Sequence, residues 1–121
     1  IIRGNTVVAI PSNTAPLCST DLYQVLETSD VLNGVVNIVT GDKDILVKTI
    51  AEHQEVNGVW YHGKQEICAN IEYVAASNMK RTWVNYGAEW PWEDKATQGG
   101  EFLRKATEVK HIWIPMGDSV L

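Results

Sequence analysis

The sequence predicts an α/β domain built on a doubly wound parallel sheet, and three observations predict it. Four short apolar runs, "TVVAI" (6–10), "GVVNIVT" (34–40), "GVWYH" (58–62) and "RTWVN" (81–85), recur at intervals of roughly 25 residues. They are β-branched and aromatic with few polar alternate positions, the pattern of strands buried on both faces of a parallel sheet. Between them lie segments with helical periodicity, so strand and helix alternate along the chain.

The first helix rests on Cys18, Leu22 and Val25 at i, i+4, i+7, with Leu26 on the same stripe and Ser19 or Thr20 as N-cap. Leu46 and Ile50 mark a second helix, for which Asp42 supplies a cap. Ile67, Ile71 and Val74 repeat the first spacing in a third. Crossovers between parallel strands are right-handed almost without exception, so these units stack into one sheet. After Gly87 the pattern breaks. "AEWPWEDKATQGG" carries Pro91, an acidic pair and a double Gly, and reads as a linker. A short helix is expected over 101–107, then a last strand, "VKHIWIP" (109–115), stopped by Pro115 and lacking a helix to join it to the sheet. That strand reads as an arm. The organisation expected is therefore a nucleotide-binding-type region at 1–88, a linker at 89–100 and a terminal segment at 101–121.

Composition narrows the function. A chain of 121 residues is one domain. Ten basic against fifteen acidic residues, a net charge of −5, leave no cationic footprint for nucleic acid or a membrane surface. No apolar run approaches the roughly 20 residues of a spanning helix, and no signal-peptide pattern opens the chain. Two isolated thiols, Cys18 and Cys68, make no disulfide framework, which points to a reduced, cytoplasmic compartment. His53, His62 and His111 lack metal-ligand spacing, so no metal site is expected. The chain begins at Ile1 and reads as part of a longer product.

In an open parallel sheet, ligands sit beyond the carboxyl ends of the strands. The loops there are "PSNT" (11–14), "TGDKD" (40–44), "HGKQE" (62–66) and "YGAE" (86–89). "HGKQE" leads into a helix N-terminus, where backbone N–H groups and Lys64 could take a phosphate. The alternative is that Gly41, Gly63 and Gly87 only turn the chain, since neither a GxGxxG nor a GxxxxGK[ST] motif is present.

"GNTVVAIPSNTAPL", "GVVNIVTGDKD", "WYHGKQE" and "NMKRTWVNYG" stand in the order and spacing of the coenzyme domain of aldehyde dehydrogenases, and "FLRKATEVKHIWI" resembles that family's carboxyl-terminal segment. A narrower resemblance is to the carboxyl-terminal half of the sixteenth aldehyde dehydrogenase family, in which a degenerate second copy follows a complete one. The resemblance implies a Rossmann-like parallel sheet with flanking helices plus a carboxyl-terminal β-arm that joins an oligomerisation sheet. It implies NAD as cofactor, through Pro11, Ser12, Gly41, Gly63 and Lys64. It also exposes departures. Ile10 stands where the family has a ribose-binding Lys, Asn13 where many members have Glu, and Lys64 where the family's turn has Ser. Asn85 stands at the place of the glutamate base, and an amide cannot accept a proton near neutral pH. The inserted domain carrying the family's thiol is missing between the "YG" turn and the terminal segment. Cys18 is expected on a buried stripe and Cys68, early in the third helix, in a packing role, with a reactive thiol at the helix start as the alternative.

No catalytic residue is therefore expected, and NAD binding should be weak or lost. Three functions fit: a non-catalytic aldehyde-dehydrogenase-like module that supports assembly of a dehydrogenase, with another such unit as partner; one piece of an active NAD-dependent aldehyde dehydrogenase whose catalytic domain lies elsewhere; or a small nucleotide-binding domain using Gly63 and Lys64.

Overall fold

The computed structural model describes residues 1–114. Strand and helix alternate as expected: β1 (Val7–Ala9), α1 (Leu17–Glu27), β2 (Val36–Ile38), α2 (Lys43–Glu52), β3 (Gly58–Tyr61), α3 (Gln65–Ala75) and β4 (Arg81–Val84). A short helix α4 (Gly100–Lys105) follows. The strands do not join one four-stranded sheet. They form two parallel ladders, β1 with β2 and β3 with β4, in registers that set Val7 opposite Val36 and Gly58 opposite Arg81. Each ladder is one βαβ unit, closed by the helix between its own strands; no hydrogen-bonded pairing links β1 or β2 to β3 or β4.

The core belongs to the second unit. Val47 and Ala51 of α2, Val59 and Tyr61 of β3, and Cys68, Ile71 and Ala75 of α3 are the buried apolar residues, with Ile67, Val74 and Val84 packed against them. Ile67, Ile71 and Val74 thus fulfil the i, i+4, i+7 expectation, and full burial of a side chain such as Ile71 stabilises by about 1.5–3 kcal/mol. Alternation along β3 sends Val59 and Tyr61 to the helices and Trp60 to the opposite face, so this strand is buried on one face and not on both. Asp42 caps α2 as expected, its Oδ1 accepting from the Asp44 N–H at 2.9 Å.

The far end of α2 is closed by a residue from outside the helix. Lys80, at the entry to β4, is only 7% exposed, and its ammonium donates to the carbonyls of Ala51 (2.5 Å), His53 (2.7 Å) and Ile50 (3.3 Å). Terminal carbonyls of a helix have no partner within it and carry the negative end of its dipole. Burial depresses the pKa of the Lys80 ammonium; the three carbonyls oppose that pull by favouring the charged form.

The first unit differs from its expectation. α1 begins a turn before Ser19 and Thr20, at Leu17 with Pro16 in the cap position and no side-chain cap. The two hydroxyls instead donate back to the carbonyls of Pro16 and Leu17. No residue of α1 is buried. Leu17, Leu22 and Val25 stand more than half exposed, and Cys18 is an exposed free thiol. The stripe is present, but no described segment covers it.

Beyond β4, the stretch expected as a linker carries Trp90 onto the open face of the β3–β4 ladder, with Trp92 beside it against His62. Trp83 lies edge-on to Trp60 (5.1 Å between ring centroids), Trp90 (5.6 Å) and Phe102 of α4 (4.9 Å). Residues 109–114 form neither strand nor helix, so the expected strand is not formed within the described residues. Its last position, Pro115, lies outside them. Val109, Ile112, Trp113 and Ile114 are all at least 76% exposed.

Candidate functional site

The loops that follow β1, β2 and β3 come together through Lys43, the first residue of α2. Its backbone N–H donates to Asn13 Oδ1 at 3.1 Å, and its ammonium donates to the carbonyl of His62 at 3.0 Å. The same ammonium lies 5.0 Å from the centre of the Tyr61 ring, within cation–π range. Tyr61 donates to Asp44 Oδ1 at 3.2 Å, and Lys64 holds Asp44 Oδ2 at 2.6 Å. That Lys64 hydrogen bond depresses the Asp44 pKa, and the carboxylate raises the Lys64 pKa in return. Desolvation, then the Asp44 charge, push the Tyr61 phenol up to about 12.

Asn85 is built into the loop and does not face an open site. Its Oδ1 accepts from the Gly63 N–H at 2.9 Å and, at 3.4 Å, from Gly87; its Nδ2 donates to the Ala88 carbonyl at 2.6 Å. The amide therefore ties the turn after β4 to the turn after β3. A carboxylate could accept from Gly63 but could not donate to Ala88. Gly63 has a packing reason of its own: a Cβ there would meet the Tyr61 hydroxyl at 2.5 Å. Gly87 turns the chain with φ +80°, and Gly41 has φ +153° with Leu46 against the space a Cβ would fill. Three glycines of the candidate loops thus have structural roles that need no ligand.

The remaining candidates sit at the rim. Pro11 is half-buried, and the Ser12 hydroxyl hydrogen-bonds to Thr14 at 2.8 Å on the exposed loop after β1. Ile10 is half-buried and offers no donor. Cys68 is fully buried in the core, its thiol 3.9 Å from the Gly63 carbonyl, which is a packing position. His62 stacks edge-on against Trp83, Trp90 and Trp92, and burial, followed by the Lys43 charge, depresses its pKa.

The sequence pattern of the aldehyde dehydrogenase family matches residues 1–92. The chain belongs to this family. Malonate-semialdehyde dehydrogenase 2 of Oceanobacillus iheyensis is 34% identical over 89 residues, 74% of this chain and 18% of that protein. The cytosolic aldehyde dehydrogenase 1 of Elephantulus edwardii is likewise 34% identical over 89 residues, 73% of this chain and 18% of its own length. The crystal structure of the aldehyde dehydrogenase KauB from Pseudomonas aeruginosa superposes on 67% of this chain and 17% of that one, with a TM-score of 0.62 at 29% identity. The chain spans under a fifth of the length of these relatives. The carboxyl-terminal segment at 101–121 lies beyond the matched residues.

Family membership raises the question of a dinucleotide, and the loop geometry bears on it. The Lys64 charge is neutralised by Asp44, and the Gly63 N–H is taken by Asn85. The Lys43 N–H is taken by Asn13. As placed, these donors do not fit a pyrophosphate. Sequence reasoning missed Asp44 and Lys43, which close the loops. The signal was available: "GDKD" puts two carboxylates and a Lys at one helix start.

Proposed function

We propose that this chain is a non-catalytic aldehyde-dehydrogenase module that supports assembly of a dehydrogenase. Its partner is another aldehyde-dehydrogenase-like unit, in the same or a neighbouring chain, and its compartment is the cytoplasm. One observation carries the reading. Asn85, at the place of the family's base, spends its oxygen and its nitrogen on Gly63 and Ala88, so it is a structural clip. The exposed apolar residues at 109–114 and along α1 support a partner, since contiguous apolar surface of this kind marks interaction sites. NAD binding is weak or lost, because Ile10 supplies no ribose donor and Asp44 holds the charge of Lys64.

The test follows NAD reduction by the purified chain with several aldehydes. No turnover is expected from the native chain or from Asn85→Glu. Restoring the carboxylate does not restore a nucleophile, and loss of both removes many orders of magnitude of rate. Turnover that disappears in Cys68→Ser overturns the proposal. Deletion of residues 109–121 is expected to lower the assembly mass seen by light scattering; an unchanged mass removes the intermolecular role of that segment.

A second reading has its own support. The family match over residues 1–92 and the short span relative to the relatives suit one piece of an active NAD-dependent aldehyde dehydrogenase with catalytic parts supplied elsewhere. Calorimetry with NAD separates the two. Binding tighter than about 10 μM that is lost in Lys64→Ala favours the second.

A further inference from the structure

The face of the β3–β4 ladder turned away from α2 and α3 carries a cleft of about 320 Å³ at its amino end. The loops considered above lie at the opposite end. Register explains the cleft. Gly58 pairs with Arg81 and Trp60 with Trp83, so on this face two tryptophans stand side by side and Arg81 lies next to a residue with no side chain. Arg104, Lys105 and Thr107 close the cleft from the far side, and Thr82 completes the lining.

Its electrostatics run against the rest of the molecule. The chain carries a net charge of −5, yet this cleft gathers three cations and has no carboxylate in its lining. Arg104 is paired with Glu101 at 2.9 Å. Lys105 rests over the Trp83 ring at 5.6 Å. Arg81 has neither kind of partner, and its Nε and Nη1 are buried without a hydrogen bond. Buried polar atoms are nearly always paired, and a guanidinium left unpaired in a half-buried place, in a cleft lined by two other cations, is costly. A planar oxyanion is the group whose geometry the guanidinium fork matches, as in a carboxylate or phosphate.

We propose that this cleft binds a small organic oxyanion, a carboxylate or phosphate ester with a flat apolar body. The anionic group lies between Arg81 and Lys105, and the apolar body lies on Trp60 and Trp83. The volume is at the lower end of ligand sites, which admits a single-ring compound and not a dinucleotide. Aromatic walls with a few placed polar groups are the usual construction of such a site.

Phenyl phosphate, benzoate and inorganic phosphate, each titrated into the full chain with tryptophan fluorescence and calorimetry as readouts, test this. Phenyl phosphate or benzoate is expected to bind with a Kd below about 1 mM and to quench Trp60 and Trp83. Which of the two binds more tightly names the anion. Arg81→Gln is expected to weaken binding by at least about tenfold, the loss of one charge-assisted contact pair. Lys105→Met, a milder surface change, weakens it less, and it serves as the deciding variant if Arg81→Gln fails to fold. Inorganic phosphate binding as tightly as phenyl phosphate overturns the role of the tryptophans. Absence of binding by both organic probes overturns the site, as does binding unchanged in a folded Arg81→Gln or Lys105→Met chain.

Discussion

Replacing Lys80 by methionine keeps the length and apolar stem of the side chain but removes the ammonium that closes α2. Three carbonyls lose their donor, two of them held at 2.5 and 2.7 Å and one more loosely at 3.3 Å. Hydrogen bonds to a charged group contribute about 1.5–3 kcal/mol each, so the two short ones set the scale. A neutral methionine no longer has to be desolvated as an ion, which offsets part of that loss. Water replaces the ammonium poorly at the carbonyl of Ala51, a residue with 0% exposure. The expected net cost is therefore about 2–3 kcal/mol. Domain stabilities are typically only about 5–15 kcal/mol, so the change is large. Urea unfolding measures it: the midpoint is expected to fall by roughly 1–2 M with an unchanged slope. Lys48→Met, on the exposed side of the same helix, is the control and is expected to stay within about 0.5 kcal/mol. A Lys80→Met midpoint equal to that of the control refutes the reasoning, because the ammonium would then do nothing that a thioether cannot.

Two other perturbations have directions set by the geometry. Gly63→Ala places a Cβ 2.5 Å from the Tyr61 hydroxyl, so Tyr61 must leave Asp44 or the loop must shift; a loss of about 1–3 kcal/mol is expected in thermal or urea unfolding. His62 has its pKa depressed from 6.5 by burial and by Lys43, so below that value the unfolded chain binds more protons than the folded one. Its contribution is fully present above pH 6.5 and is lost as pH falls through the folded-state value, whereas His62→Phe, which keeps the ring contacts, should flatten the dependence in that window.

Periodicity made the elements legible. The four apolar runs became the four strands, and Asp42 announced the start of α2 because a cap is a local interaction. What periodicity does not carry is the identity of the covering surface. The stripe of α1 is as regular as that of α3, yet Ile71 is buried and Leu22 is 54% exposed, because only α3 has β3, β4 and α2 to pack against. At 89–100, Pro91 and the Gly pair suggested a linker, and composition gave no sign that Trp90 of that stretch would lie edge-on to Trp83 and His62. In the loops, it was readable that Ile10 offers no donor and that position 85 holds an amide and not a carboxylate. The reason an amide suits position 85 was not, because it depends on two backbone groups, of Gly63 and Ala88, that only the fold brings together.

The concentration of the core between Val47 and Ala75 has a consequence for how the molecule acquires its shape. Residues 7–38 leave the ribosome before residues 58–84, yet they bury no side chain of their own. The early half has little to hold it until α3 and β4 exist, while the later half is a local βαβ unit whose contacts join neighbours in sequence. Folding should therefore nucleate late in the chain and spread backward through α2, the helix that packs on α3 while its first residue grips the loop after β1. Amide protons of β3 and α3 would exchange last under native conditions and those of β1 and α1 first, a gradient in opening free energy that runs opposite to the order of synthesis.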